Sequence, residues 1–243
     1  QMDRVQLMWA APLAPVSVAA VRVTTAGSVS AAASETATGT ASETVAHTAP
    51  TMPYDSAAEV RVGADFLQNE HLRLELGPHG PLLIERASGR RHDLRLRFED
   101  TADAGDSYDF SPLAGDEPIV ADRPAGPVRI VRSGPVVGEL AVEYRPVLPE
   151  RLSADRRQRV GRVEMPVEVT FALERGARAL KVSVALTNAA EDHRLRLVVA
   201  TGVQSDHVWA GDSFAWLRRP VRPPAGEGWY QTPQPTNPMR HVV

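Results

Sequence analysis

The residues that could carry out chemistry are concentrated in one segment, Phe98 to Pro112. It holds five carboxylates, and Tyr108 and Phe110 stand among them. Clustered carboxylates suit calcium, although the spacing does not match the twelve-residue calcium loop. A solvated acidic loop is the simpler interpretation. Alternating acidic and aromatic side chains also suit a sugar, because carboxylates accept from its hydroxyls and rings cover its apolar face.

Other catalytic chemistries lack their residues in this sequence. There is no cysteine, which excludes disulfides, thiolate zinc sites and cysteine nucleophiles. The seven histidines are scattered, and none forms a His-x-His or His-x3-His pair. No Gly-x-Ser-x-Gly elbow or phosphate-binding loop occurs. A glycosidase needs two carboxyl groups across the scissile bond, but the sequence favours no pair among its thirty acidic residues.

Two arginines at alternate positions form a second candidate cluster. Arg194 and Arg196 lie on the same face of a predicted strand, with His92 or Asp192 as candidate partners. A structural salt-bridge network is the favoured interpretation of this cluster, and ligand binding is the alternative.

Strands must position these residues, because alternating apolar residues and turn signals dominate the chain after residue 60. The likeliest helix, Leu152 to Arg162, is polar nearly all round and is better interpreted as an arginine-rich connection. Pro166 indicates a sheet edge or bulge. The fold class is therefore all-β, a large antiparallel β-sandwich. The alternation predicts strands at Leu72–Leu76, Pro81–Arg86, Val128–Arg132, Val137–Val147, Val163–Leu173, Ala179–Leu186 and Leu195–Val199.

Composition divides the chain into three parts. Residues 1–23 form a small β segment, 24–59 an Ala/Ser/Thr-rich linker, and 60–243 the sandwich. Within 24–50, 21 of 27 residues are Ala, Ser, Thr or Gly. This segment therefore has too few large apolar side chains to form a core. The net charge of −3 argues against nucleic acid as a partner, and no apolar run is long enough for a membrane helix.

Several motifs occur in an order that resembles a known family. They are Asn69–Leu74, Gly105-Asp106-Ser107-Tyr108 with the residues to Pro112, Asp192–Arg196, and Trp229 to Pro238. Together they resemble the C-terminal region of glycoside hydrolase family 38, the α-mannosidases. The Gly-Asp-Ser-Tyr block is the most specific of these motifs.

The resemblance implies a sandwich of the galactose-mutarotase type and identifies what the chain lacks. In the family, an N-terminal α/β barrel carries the zinc ion and the aspartate nucleophile, and nothing here resembles it. We therefore expect a fragment, incomplete at its C-terminus, that has no catalytic residue or metal ligand of its own and is inactive alone. Its partners would be the catalytic barrel of the same protein and a mannose-containing carbohydrate.

One substrate contact follows from the resemblance. In the family, a tyrosine after a small-residue turn reaches from the sandwich towards the bound sugar. Tyr108, with Asp106 beside it, occupies that place. The alternative is that Tyr108 packs into the sandwich and Asp106 caps a turn.

A different function class also fits the sequence. A free-standing carbohydrate-binding sandwich would use Tyr108 with an exposed tryptophan. Trp209, Trp216 and Trp229 could be the stacking platforms, although packing in the core or against another domain is favoured for each. Unpaired strand edges predict a homo-oligomer or poor solubility. The absence of cysteines and of a signal sequence favours a cytoplasmic location.

Overall fold

The computed structural model describes residues 2–10, 17–25, 59–106, 110–200, 204–211, 213–222, 225–228 and 241–242. The regular elements in these ranges are β-strands, and all their pairings are antiparallel. The predicted all-β fold is therefore confirmed. The described residues contain no helix long and apolar enough to cross a membrane.

The strands are short, as the turn signals predicted. In chain order they are β1 (Met2–Ala10), β2 (Ser17–Thr25), β3 (Arg61–Val62), β4 (Phe66–Gln68), β5 (Leu72–Gly77), β6 (Gly80–Glu85), β7 (Arg91–Asp93), β8 (Leu96–Ala102), β9 (Ile119–Ala121), β10 (Arg129–Ser133), β11 (Val137–Tyr144), β12 (Val147–Leu148), β13 (Arg151–Leu152), β14 (Arg159–Val160), β15 (Val163–Glu164), β16 (Val167–Glu174), β17 (Ala179–Thr187), β18 (His193–Val199), β19 (His207–Gly211), β20 (Trp216–Pro220) and β21 (His241–Val242).

Within the described residues the strands form six sheets, and four of these have three or more strands. A six-stranded sheet has the order β10-β11-β16-β17-β1-β2, and a five-stranded sheet runs from β3 to β7 in sequence order. Two three-stranded sheets have the orders β18-β8-β9 and β20-β19-β21. The segment predicted at 1–23 thus supplies two strands to the six-stranded sheet through pairing of β1 with β17. The predicted domain boundaries stay a prediction, and residues 26–58 of the predicted linker lie outside the described residues.

The two larger sheets face each other across one continuous core. On β5 and β16 every second side chain is buried, as the alternating sequence requires. Burying each such side chain contributes about 1.5–3 kcal/mol, so the facing layers hold the sandwich together. The largest members of this core are Tyr144, Phe98, Phe171, Leu67, Leu74, Leu83, Leu140 and Leu173.

Two sequence predictions about local structure have different outcomes. The arginine-rich connection at 152–162 is a hairpin of β13 and β14, not a helix. Pro166, predicted at an edge or bulge, instead precedes β16, which lies between β11 and β17 inside the six-stranded sheet. Proline is tolerated there because the ladder hydrogen bonds begin with the next residue.

Strand β8 is the element that carries the acidic segment. Its Phe98 ring packs edge-on against Tyr144 of β11, with centroids 5.1 Å apart. Such aromatic pairs contribute roughly 0.5–1.5 kcal/mol beyond their burial. Phe98 thereby attaches β8 to the core at the residue just before its first carboxylate, Glu99.

Candidate functional site

The acidic segment predicted as one loop is divided between a strand and a loop. Residues up to Ala102 belong to β8, and residues 103–112, here called the acidic loop, leave the sheet. A bridge between Asp103 and Pro112 closes the neck of this loop, and the Ala104 amide donates to the Ser111 carbonyl at 2.7 Å. The loop therefore begins and ends at one fixed point.

Asp103 caps this neck from inside. Its Oδ1 accepts hydrogen bonds from the amides of Gly105 at 2.9 Å and Ser111 at 3.0 Å, one from each side of the loop. An aspartate side chain that binds nearby amides in this way is typical of tight turns. Asp106 is exposed just beyond the neck, while residues 107–109, and with them Tyr108, lie outside the described residues. Their role in sugar binding stays a prediction.

An arginine from a distant hairpin contacts the first half of the loop. The Arg156 guanidinium donates to the carbonyl oxygens of Gly105 at 2.9 Å and Asp103 at 3.3 Å. It also pairs with the Asp192 carboxylate at 3.1 Å. The sequence did not single out Arg156, because nothing in an exposed arginine-rich turn shows which arginine has a distant partner.

A second arginine contacts the other half of the loop. The Arg194 guanidinium lies over the Phe110 ring, 3.4 Å from its centroid, a cation–π contact. Burial lowers the pKa of Arg194, and the positive charge of Arg196 lowers it further. Its Nε is buried without a hydrogen-bond partner. Arg194 therefore holds Phe110 through the ring face rather than through hydrogen bonds.

The predicted partners of the two arginines were wrong. Arg196 pairs with Glu99 at 2.9 Å, because β18 and β8 place these residues directly opposite each other. Asp192 instead pairs with Arg156, and His92 instead contacts Glu85 at 2.9 Å. The favoured interpretation, a structural salt-bridge network, is correct for Arg196. Strand register determines that Glu99 is its partner, and the sequence alone does not give that register.

A buried ionic cluster lies beneath the loop. Asp100, only 1% exposed, pairs with Arg159 through one carboxylate oxygen and contacts His193 Nδ1 through the other at 2.5 Å. Arg159 lies 3.7 Å from Asp116, whose carboxylate accepts the Ala102 amide at 2.7 Å. The cluster thus connects β8, β14 and β18 with the chain that follows the acidic loop.

The orientation of His193 follows from its neighbours. Asn188 Oδ1 accepts the Ala190 amide at 3.2 Å, which identifies that atom as the oxygen. The same oxygen lies 2.9 Å from His193 Nε2. Both ring nitrogens therefore face oxygen acceptors, so His193 bridges the buried carboxylate and the Asn188 turn.

The sequence contained a signal for this cluster. Leu96, Phe98, Asp100 and Ala102 are the buried positions of β8. A carboxylate at an inward position of an apolar alternation must find partners, because burying it unpaired costs several kcal/mol. Asp100 could therefore have been identified, although not its partners, which are 59 and 93 residues away.

The described residues supply no metal site. Within them, no three His, Asp or Glu side chains come together as a ligand group. The carboxylates of the acidic segment point instead to separate partners, namely Asp100 to the buried cluster, Asp103 to the loop neck and Glu99 to Arg196. The calcium interpretation therefore finds no ligand set in this part of the chain.

Two of the predicted tryptophans are exposed on one sheet face. Trp209 is 45% and Trp216 is 51% exposed, and the β19–β20 register places them on the same side. The favoured prediction was packing in the core or against another domain; the core alternative is wrong for this pair, and packing against another domain stays a prediction. Asp206 contacts His207 beside them at 2.5 Å, and this hydrogen bond lowers the pKa of Asp206. Trp229 lies outside the described residues.

A pocket of about 450 Å³ lies between the β5–β6 turn and the segment before β10. Prolines 78, 81, 124 and 127 line it, together with Arg123 and Tyr144. Burial raises the pKa of the Tyr144 phenol to about 12. Among the described residues, no carboxylate lines this pocket, whereas glycoside hydrolysis needs two.

Comparisons with known proteins agree on one family. The sequence profile of the glycosyl hydrolases family 38 C-terminal domain matches residues 67–239. A protein named "Putative mannosylglycerate hydrolase" from Halalkalibacterium halodurans is 22% identical over 173 residues, which cover 65% of this chain and 19% of that protein. The chain therefore spans about a fifth of this relative's length.

Solved structures show the same fold. A protein in glycosyl hydrolase family 38 from Enterococcus faecalis superposes with a TM-score of 0.59 at 20% identity, over 65% of this chain and 21% of that one. An alpha-mannosidase from Enterococcus faecalis V583 gives a TM-score of 0.60 at 20% identity, over 65% and 20%. At this identity, the likeness shows the fold alone.

Proposed function

This chain belongs to the family of glycosyl hydrolase family 38 C-terminal domains, and we propose that it completes the sugar pocket of a separate catalytic domain in the same natural protein. The family consists of glycoside hydrolases. In this proposal the sandwich supports the catalytic domain and contributes substrate contacts, while the residues that break the glycosidic bond lie elsewhere.

The closed neck of the acidic loop is the observation that carries the proposal. Asp103 caps the neck from within, Arg156 contacts one side from the β13–β14 turn, and Arg194 contacts the other side from β18. A loop held on a rigid sheet can present side chains with the precision that substrate positioning needs. In sequence, Asp106 and Tyr108 lie near the middle of the loop, between its ends at Asp103 and Pro112. Their carboxylate and phenol would bind sugar hydroxyls and orient the sugar, without attacking it.

The names of the relatives support the proposed substrate class and catalytic partner. One relative is named for mannosylglycerate and another is an alpha-mannosidase, so a mannose-containing carbohydrate is the proposed substrate. The chain spans about a fifth of these proteins. We therefore assign the hydrolysis to an α/β barrel of the same protein, which would also hold the zinc ion. This chain alone would be inactive.

Substitution of Tyr108 by Phe in the full-length natural protein tests the proposal. The loss of one hydroxyl should lower hydrolysis of an aryl α-mannoside while the Tm stays near that of the wild type. Val136→Ala, a change at an exposed turn residue, is the control and should alter neither quantity. A large fall in Tm with unchanged kinetics would show that Tyr108 packs into the sandwich instead.

The exposed pair Trp209 and Trp216 favours a second candidate, a free-standing carbohydrate-binding module. Two indole rings on one face of a sheet can stack on pyranose rings. In that case the isolated chain should change its tryptophan fluorescence when mannose is added, and Trp209→Ala should abolish the change. The absence of a response would eliminate this candidate and leave the first.

A further inference from the structure

Arg156 makes contacts that its neighbours in the same hairpin do not make. It lies at the turn between β13 and β14, and its guanidinium reaches two carbonyls of the acidic loop that are 53 and 51 residues away. Arg157 is also exposed, but its side chain makes no hydrogen bond or ion pair within the described residues. The hairpin turn therefore delivers one specific cation to the loop.

The backbone at this contact is strained on both sides. Among the described residues, two that are not glycine have a left-handed φ, namely Arg156 at 57° and Asp192 at 51°. These two residues are each other's ion-pair partners. Left-handed φ is unfavourable for such residues and persists where surrounding contacts impose it, most often at functional sites. Here the strain aims both side chains at one point.

Asp192 supports this arrangement from the opposite side. Its backbone carbonyl accepts the Asp103 amide at 2.8 Å, and its Oδ2 accepts the Leu152 amide at 3.3 Å. Its Oδ1 then orients the Arg156 guanidinium. Asp192 therefore connects the loop neck, the hairpin and the start of β18, and Arg156 is the element that reaches beyond the neck to Gly105.

We propose that Arg156 is a positioning residue, which fixes the Gly105–Asp106 side of the acidic loop in the shape that binds the sugar. This rests on the sugar-binding role proposed above for the loop. A purely stabilising role explains the contacts less well, because ion pairs as exposed as Arg156 and Asp192 contribute little to stability. A guanidinium that joins two carbonyls and a carboxylate sets geometry, since its donors point in fixed directions.

Arg156→Gly separates positioning from stability. Glycine accepts the left-handed φ without strain, so the hairpin should keep its turn while the loop loses its guanidinium. In the full-length natural protein we expect an unchanged Tm. We also expect amide hydrogen exchange at Gly105 to accelerate roughly tenfold or more. Affinity for methyl α-mannoside should fall by roughly 10- to 100-fold, because small misplacements of binding groups have such effects.

Arg157→Ala is the control: it removes the same charge from the same turn without adding glycine at a residue of ordinary φ, and it should change none of the three quantities. Unchanged exchange at Gly105 in Arg156→Gly, or a fall in Tm that accounts for the lost affinity, would overturn the proposal. If the wild-type protein binds no mannoside, the proposed function fails, and with it the role of Arg156 in sugar binding. Faster exchange at Gly105 in Arg156→Gly would then show that Arg156 fixes only the shape of the loop.

Discussion

Asp100 is the buried carboxylate of the ionic cluster beneath the acidic loop. Its carboxylate is buried and bonded to both Arg159 and His193. Removing one member of a buried ionic cluster leaves the others uncompensated, which costs about 3–5 kcal/mol. Asp100→Asn should therefore lower the free energy of unfolding by about 3 kcal/mol, measured by urea denaturation.

The exposed pair of Asp93 and Arg95 gives the control for this prediction. Both side chains are largely in solvent, so Asp93→Asn should change the free energy of unfolding by less than about 1 kcal/mol. Equal effects of the two substitutions would show that burial does not govern the stability of the Asp100 cluster.

Glu85 provides a pH-dependent test. The Ser88 hydroxyl donates to its carboxylate at 2.7 Å and the His92 ring contacts it at 2.9 Å, and these interactions lower the pKa of Glu85 from 4.5. A lowered carboxyl pKa stabilises the fold above the ordinary value, and this contribution is lost as pH falls through the folded value. Ser88→Ala should raise the pKa of Glu85, measured by NMR titration.

The same substitution makes a prediction for stability. Ser88→Ala should destabilise the protein near pH 7, where the carboxylate is charged. The variant and the wild type should converge in acid, where the carboxyl group is protonated in both. A stability difference that stays constant from pH 7 to pH 3 would contradict this assignment.

Strand β10 is an edge strand of the six-stranded sheet. Within the described residues, it pairs only with β11. Ile130 and Val131 on it are exposed, at 52% and 48%. An exposed apolar edge strand is a template for pairing with another chain. Ile130→Lys should therefore reduce association of this chain, measured by size-exclusion chromatography at high concentration.

Val136 is the matched control for the edge. It is 59% exposed but lies in the turn between β10 and β11, away from the free edge. Val136→Lys should leave association unchanged. A monomeric wild-type chain at high concentration would contradict the predicted association itself.

The strands were predictable because each follows from local alternation. β5, β16 and β17 bury every second residue, and their sequences show this directly. The candidate site was predictable only in part. The acidic segment and its aromatic residues stand out by composition, but Arg156 and Arg159 reach it from a distant hairpin and His193 from β18. Strand register and hairpin placement determine these long-range contacts, and neither can be predicted from the local sequence.

At the scale of the whole chain, the described residues form a sandwich, and the chain spans about a fifth of the length of its relatives. If it works as proposed, an antibody raised against it should detect a natural protein several-fold heavier than 26.3 kDa. Zinc analysis and aryl α-mannoside hydrolysis would then be applied to that protein. A band at 26 kDa would favour the free-standing carbohydrate-binding module.

The long-range support of the acidic loop also has a consequence in time. During synthesis, Asp100 emerges before its partner His193, which is 93 residues further along the chain. At synthesis rates of about 5–20 residues per second, that interval is roughly 5–20 s. Arg156 and Arg159 are synthesised within this interval, whereas His193 and Arg194 complete the contacts only at its end. The acidic loop therefore cannot acquire all of its supporting contacts until β18 has been synthesised.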